Sequence, residues 1–98
     1  MSTIIDQEKR YCAENYAPLP VVLNRGEGVY VWDENGTRYM DMMSAYSAVS
    51  FGHANPRLVK ALSEQAATLA VPSRAFYSDK LAPFAERLCQ VTGMDKML

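Results

Sequence analysis

Apolar positions fall into two periods, and the change from one to the other divides the chain. Across the stretch from Val21 to Met42 they recur at every second place, through Val29, Val31, Met40 and Met42, which is the alternation of half-buried strands. Asn35-Gly36 interrupts this alternation. Both residues tolerate the positive φ of a type I′ turn, so the pattern predicts a two-residue hairpin loop. Counting outward places Asp33 opposite Arg38, Trp32 opposite Tyr39, Val31 opposite Met40 and Val29 opposite Met42. One face then carries Tyr30, Trp32 and Tyr39, and the other Val29, Val31, Met40 and Met42. Upstream, Pro18 and Pro20 force an extended path into Val21-Val22-Leu23, read as an edge strand, with Arg25-Gly26-Glu27-Gly28 as the turn that follows. The expectation is a three-stranded antiparallel meander over about 20–42, marginal alone and in need of a helix laid against it.

After Pro56 the period lengthens to that of a helix. Asn55 is a good N-cap and Pro56 suits the first helical position, where its missing N–H costs nothing. Leu58, Val59, Leu62, Ala66 and Leu69 form one stripe, so a helix is predicted over about 56–70, ending before Val71-Pro72. A second helix is predicted over about 79–92, capped by Ser78, with Leu81, Phe84, Ala85 and Leu88 on its apolar side and Gly93 just past its end. Pro83 predicts a loose or kinked start. Asp6–Glu14 has too few apolar residues for more than a short helix. The fold class is α+β. Met94 to Leu98 reads as the opening of another element, so the chain is expected to be the front part of something longer.

Bulk properties narrow the function classes without choosing one. With 98 residues, 49% apolar and 21% charged, the chain is at most one modest globular domain, burying roughly 60–65% of its unfolded surface. A net charge of −1 with scattered basic residues gives no reason to expect nucleic acid. No apolar run approaches the roughly 20 residues of a membrane helix. The N-terminus has neither the pattern of a signal peptide nor that of a transit peptide, which makes cytoplasm the expected location. Cys12 and Cys89 read as reduced thiols, and one His with two distant Cys is too few ligands for a metal.

Candidate chemistry is sparse. His53 is the only histidine and reads as a turn or capping residue, because no acid or nucleophile stands near it in sequence. Asp33, Glu34 and Asp41 suggest paired carboxylates, but Asp33 is expected to pair with Arg38 and Glu34 to be solvated. Gly26-x-Gly28 lacks the third glycine of a dinucleotide loop. Lys9, Lys60, Lys80 and Lys96 all read as surface. Tyr16, just before a proline-stiffened segment, and Tyr46, in the loop Ser44-Ala45-Tyr46-Ser47-Ala48, are the residues placed to show a hydroxyl to a ligand; from spacing alone, packing is the stronger claim on them.

Several short blocks in fixed order carry a resemblance. Asn15-Tyr16-x-Pro18-Leu19-Pro20-Val21 and Arg25-Gly26-x-Gly28-Val29-Tyr30-Val31-Trp32-Asp33 resemble the start of class III aminotransferases, pyridoxal-phosphate enzymes of fold-type I. Ser44-Ala45-Tyr46-Ser47-Ala48-Val49, Gly52-His53-x-Asn55-Pro56 and Ser73-Arg74-Ala75-Phe76-Tyr77 are similar to the ornithine aminotransferase branch. The resemblance covers Tyr11 to Leu98. It implies an enzyme that moves the δ-amino group of ornithine to 2-oxoglutarate, yielding glutamate 5-semialdehyde and glutamate. Residues 1–98 would be its N-terminal segment, part of the small domain of a homodimer. By the same resemblance Tyr16 holds the α-amino end of ornithine and Tyr46 lines the pocket that sorts ornithine from glutamate, which suits a substrate with two amines. The Schiff-base lysine, the acid on the pyridine nitrogen and the carboxylate-gripping arginines would lie downstream, so the segment alone is expected to be inactive. The alternatives are another class III aminotransferase, acting on acetylornithine or an ω-amino acid, and a short non-catalytic α+β module that binds a partner protein.

Overall fold

The computed structural model describes residues 3–98; Met1 and Ser2 lie outside it. Along the chain run α1 (Thr3–Tyr11), β1 (Leu23–Glu27), β2 (Tyr30–Asp33), β3 (Arg38–Met40), the single turn α2 (Ser44–Ser47), α3 (Pro56–Thr68) and α4 (Leu81–Thr92). They fall into two units, Met1–Ala61 and Leu62–Leu98.

In the first unit the three strands form an antiparallel meander in the order β1-β2-β3, as the alternation predicts. Arg25, Gly26 and Glu27, expected in a turn, belong to β1 and pair with Trp32, Val31 and Tyr30. The connection is shorter, through Gly28 (φ 58°) and Val29.

The hairpin between β2 and β3 differs from expectation by one residue. Tyr30 pairs with Met40, Val31 with Tyr39 and Trp32 with Arg38. The reason lies at the tip, where the Asp33 N–H donates to the Thr37 carbonyl (3.1 Å) and the Gly36 N–H to the Asp33 carbonyl (3.0 Å). Oδ1 of Asp33 accepts the N–H groups of Asn35 and Thr37, each at 2.9 Å. This network encloses three loop residues, Glu34, Asn35 and Gly36, and only Gly36 takes a positive φ (83°). A three-residue loop closed by a left-handed glycine is the next commonest hairpin after the two-residue one.

A one-residue slip exchanges the faces. Tyr39 joins Val31 and Asp33, and Met40 joins Tyr30 and Trp32. Val31 and Asp33 are the buried residues among those described. Asp33 does not pair with Arg38; Oδ2 accepts the Tyr39 hydroxyl at 2.9 Å. Burial works to raise the Asp33 carboxyl, but hydrogen bonds from Thr37, Tyr39 and Asn35 outweigh it and hold the group below the usual carboxylate value. On the opposite face the Arg25 guanidinium lies 4.1 Å over the Trp32 ring and that of Arg38 4.5 Å over Tyr30, cation–π contacts of ordinary geometry.

Among the described residues of the first unit, the strands contact one another and no helix packs on them. The stripe predicted to cover them, with Leu58, Val59, Leu62 and Leu69, is exposed. Periodicity identifies a face that wants a partner and is silent on which partner that is. Helix starts follow local chemistry. Asn55 Oδ1 accepts the N–H of Arg57 (3.0 Å) and of Leu58 (3.5 Å), the expected N-cap. α1 begins and ends earlier than Asp6–Glu14.

In the second unit Ser78 Oγ accepts the Lys80 N–H at 3.1 Å and closes a turn ahead of α4 instead of capping it. The helix therefore starts at Leu81, and Pro83 falls inside the first turn, where a missing donor is harmless. Gly93 (φ 72°) ends it, donating its N–H to the Cys89 carbonyl at 2.8 Å. Cys12 and Cys89 are both free thiols. Among the described residues no helix is long and apolar enough to cross a membrane, and no group of His, Cys, Asp and Glu has the geometry to hold a metal.

Candidate functional site

Between β3 and α3 the backbone does something that L-residues avoid. Ser44, Ala45, Tyr46 and Ser47 have φ of 54°, 48°, 57° and 69°, so α2 is one turn of left-handed helix. Each such residue costs about 1–2 kcal/mol, because Cβ crowds the following carbonyl. A turn of this kind persists only where its surroundings hold it.

The holding is done from both ends. At the entry, Asp41 Oδ1 accepts the N–H of Met43 (3.1 Å) and of Ser44 (2.8 Å). At the exit, the Val49 N–H donates to the Ser44 carbonyl (3.1 Å), and Ser44 Oγ donates back to the Val49 carbonyl (3.1 Å). Ser50 Oγ donates to the carbonyl of Ser47 at 2.9 Å.

Asp41 is itself held. Its Oδ2 lies 2.6 Å from His53 Nε2, and both side chains are largely sheltered. The Ser44 N–H first, and His53 second, keep the Asp41 carboxyl below the usual carboxylate value. With Asp41 ionised, Nε2–H of His53 is the donor. His53 is anchored in turn on the β1–β2 connection, where its N–H donates to the Gly28 carbonyl (2.8 Å) and its carbonyl accepts the Gly28 N–H (3.0 Å). Its ring lies against Gly26, where a Cβ would stand 2.8 Å from His53 Cβ and Cγ. Only glycine fits there.

At the outer end of this chain of contacts stands Tyr46. Its hydroxyl is 2.6 Å from that of Tyr16, a residue of the extended segment ahead of Pro18. The two tyrosines singled out from the sequence, 30 residues apart, are therefore brought together, and both are exposed. The bond to Tyr16 pushes the Tyr46 phenol above its usual value, so it stays protonated at neutral pH and serves as a hydrogen-bonding group, not a base. Two hydroxyls sharing one bond keep one O–H and several lone pairs to offer a polar ligand.

His53 was expected to cap or turn the chain and does neither alone, since its acid partner Asp41 lies 12 residues away. The sequence signal for Asp41 was present in its spacing to Ser44, since an Asp two or three residues ahead of a turn commonly accepts that turn's N–H groups. For His53, a lone imidazole between Gly52 and Ala54 gave none.

The described residues do not fit a pyridoxal-phosphate site. Lys9, Lys60, Lys80 and Lys96 are all exposed, whereas an amine kept neutral for a Schiff base needs a desolvated or cationic neighbourhood.

Residues 11–98 match the family model of the class III aminotransferases. The chain is 55% identical over 96 residues to the mitochondrial ornithine aminotransferase of Drosophila ananassae, covering 98% of this chain and 22% of that protein. It is 53% identical over 95 residues to the ornithine aminotransferase of Geobacillus sp. (strain WCH70), covering 97% and 24%. Among solved structures, an acetylornithine aminotransferase from Elizabethkingia anophelis superposes with a TM-score of 0.93 at 53% identity, over 95% of this chain and 24% of that one. Ornithine δ-aminotransferase of Plasmodium falciparum does so with a TM-score of 0.91 at 45% identity, over 95% and 24%. The chain thus spans 22–24% of the length of these relatives.

Proposed function

The chain belongs to the class III aminotransferases, and from that footing we propose that it is the N-terminal, small-domain segment of an ornithine aminotransferase. The complete enzyme transfers the δ-amino group of ornithine to 2-oxoglutarate by way of pyridoxal phosphate, works as a homodimer and resides in the cytoplasm. The lysine, the pyridine-facing acid and the carboxylate-binding arginines come from outside these residues, and the segment alone does not transaminate. Tyr16 receives the α-amino end of ornithine, so that the δ-amine is the end presented to the chemistry, and Tyr46 lines the pocket that sorts ornithine from glutamate.

The observation that carries this reading is the 2.6 Å bond between the two tyrosine hydroxyls. The resemblance gives Tyr16 the α-amino end of ornithine and Tyr46 the pocket that sorts ornithine from glutamate, and the bond between their hydroxyls supports reading the two as one polar wall. Exposure of both rings agrees with a role in a cavity completed by other parts of the protein.

A second reading has its own support, since the acetylornithine enzyme superposes as well as the ornithine enzymes do. The two donors differ at one place: N-acetylornithine carries an uncharged amide where ornithine carries an ammonium. The discriminating experiment supplies the complete protein with pyridoxal phosphate and 2-oxoglutarate, and compares kcat/KM for the two donors by release of the corresponding semialdehyde. Preference for ornithine supports the first reading and preference for N-acetylornithine the second. No turnover of either overturns both.

A further inference from the structure

We propose that His53 and Asp41 are positioning residues for Tyr46: the pair clamps the left-handed turn that sets the Tyr46 hydroxyl against Tyr16, and so controls selection between amine donors. This rests on the reading of Tyr16 as the residue that receives the substrate's α-amino end and of Tyr46 as the pocket residue that sorts donors.

The argument starts from the strain. Four consecutive L-residues with φ between 48° and 69° are an arrangement the local sequence does not favour, and backbone held in this state is commonly part of a site's mechanism. Relaxed alternatives with negative φ would swing the Tyr46 ring away from Tyr16. What opposes them at the entry is one carboxylate, whose Oδ1 takes the first two N–H groups of the turn, Met43 and Ser44. A carboxylate on a free rotor would hold them poorly. His53 removes that freedom by taking Oδ2 at 2.6 Å, and it is rigid because its own backbone is bonded twice to Gly28 and its ring is seated on Gly26. The route from hairpin to hydroxyl is continuous, each step being a hydrogen bond or a close packing contact. In this proposal both His53 and Asp41 act through Tyr46.

The test uses the complete protein with its cofactor and reads the ratio of kcat/KM for ornithine to that for N-acetylornithine. His53→Ala is expected to raise KM for ornithine with little change in kcat, and to lower the ratio by roughly tenfold, the scale of a lost hydrogen bond to a charged group. His53→Gln, whose amide N–H reaches the same oxygen, is expected to restore most of the ratio. In a Tyr46→Ala background the His53→Ala change is expected to add nothing further, because the side chain it positions is gone. Asp41→Asn keeps the acceptor for Met43 and Ser44 and carries the test should His53→Ala fail to fold; a fall of a few-fold in the ratio is expected.

An unchanged ratio in the His53 and Asp41 variants, alongside a changed one in Tyr46→Ala, overturns the positioning role and leaves the substrate reading intact. Equal losses from His53→Ala with and without Tyr46 overturn it as well. An unchanged ratio in Tyr46→Ala overturns the substrate reading, and this inference with it.

Discussion

Asp33 and Asp41 make the same hydrogen bonds in different places. Each uses Oδ1 to accept two backbone N–H groups of the turn that follows, and Oδ2 to take one side chain, Tyr39 for the first and His53 for the second. Both are held below the usual carboxylate value. Their turns are unlike. The hairpin tip asks for one left-handed residue and has Gly36 there, so Asp33 closes a relaxed loop. The turn at Ser44–Ser47 asks for four and has no glycine among them, so Asp41 restrains backbone that would otherwise unwind. The same device serves architecture in one place and, on the reading proposed here, orientation of a ligand-facing tyrosine in the other. What an aspartate contributes is set by how much its turn resists it.

The strongest way to break this comparison is Gly26→Ala. A methyl there meets His53 Cβ and Cγ at 2.8 Å, closer than packed atoms tolerate, so His53 must move and release Asp41. In the complete protein we expect a stability loss of about 1–3 kcal/mol and a fall in ornithine kcat/KM; Asp33 and its hairpin should be unaffected, as read by thermal unfolding and steady-state kinetics.

Acid should act on both turns alike. Because folding lowers both carboxyls from 3.8, their contribution is complete above that value and is lost as pH falls through the lower folded values. Unfolding midpoints measured from roughly pH 5 to pH 2 should fall less steeply in Asp33→Asn and Asp41→Asn than in the parent. Acid slopes in both variants equal to the parent's would contradict the shifts.

The smallest effects come as a pair of opposite sign. Gly36→Ala has open space around it but a φ of 83°, and should cost about 1 kcal/mol. Ala45→Gly, at φ 48°, should raise stability by up to about 1 kcal/mol by relieving strain. If the turn is held for function, the Ala45 change should also loosen donor selection.

Legibility from sequence followed distance along the chain. Asn55-Pro56 announced α3 because a cap and its helix are neighbours, and Gly93 marked the end of α4 for the same reason. The meander was legible through alternation, yet its register was off by one. Asn35-Gly36 reads as a complete two-residue turn, and nothing local shows that the Asp33 carboxylate gathers Asn35 and Thr37 into a longer one. Ser78 misled similarly, since a serine oxygen closes a short turn as readily as it caps a helix. Tyr16 and Tyr46 stand out by their settings, a proline-stiffened segment and a small-residue loop, and take roles through the family resemblance, but their contact is one that spacing cannot reveal. The Asp41–His53 pair is not legible locally, because the acid stands 12 residues from His53 and meets it only across a folded loop. The four left-handed residues left no trace, since Ser, Ala and Tyr are the wrong residues for such a turn.

The bridge between Gly28 and His53 has a consequence for local opening as well as for geometry. If the clamp acts as proposed, the turn at Ser44–Ser47 keeps its shape only while Asp41 is steadied by His53, and His53 only while it is bonded to the hairpin. On the proposed clamp, Tyr46 is expected to lose its station whenever the bridge opens. Hydrogen exchange would see this as one cooperative unit, with the amides of Gly28, Met43, Ser44 and His53 opening together. The hairpin amides of Asp33 and Thr37, under their own aspartate, would keep a separate clock.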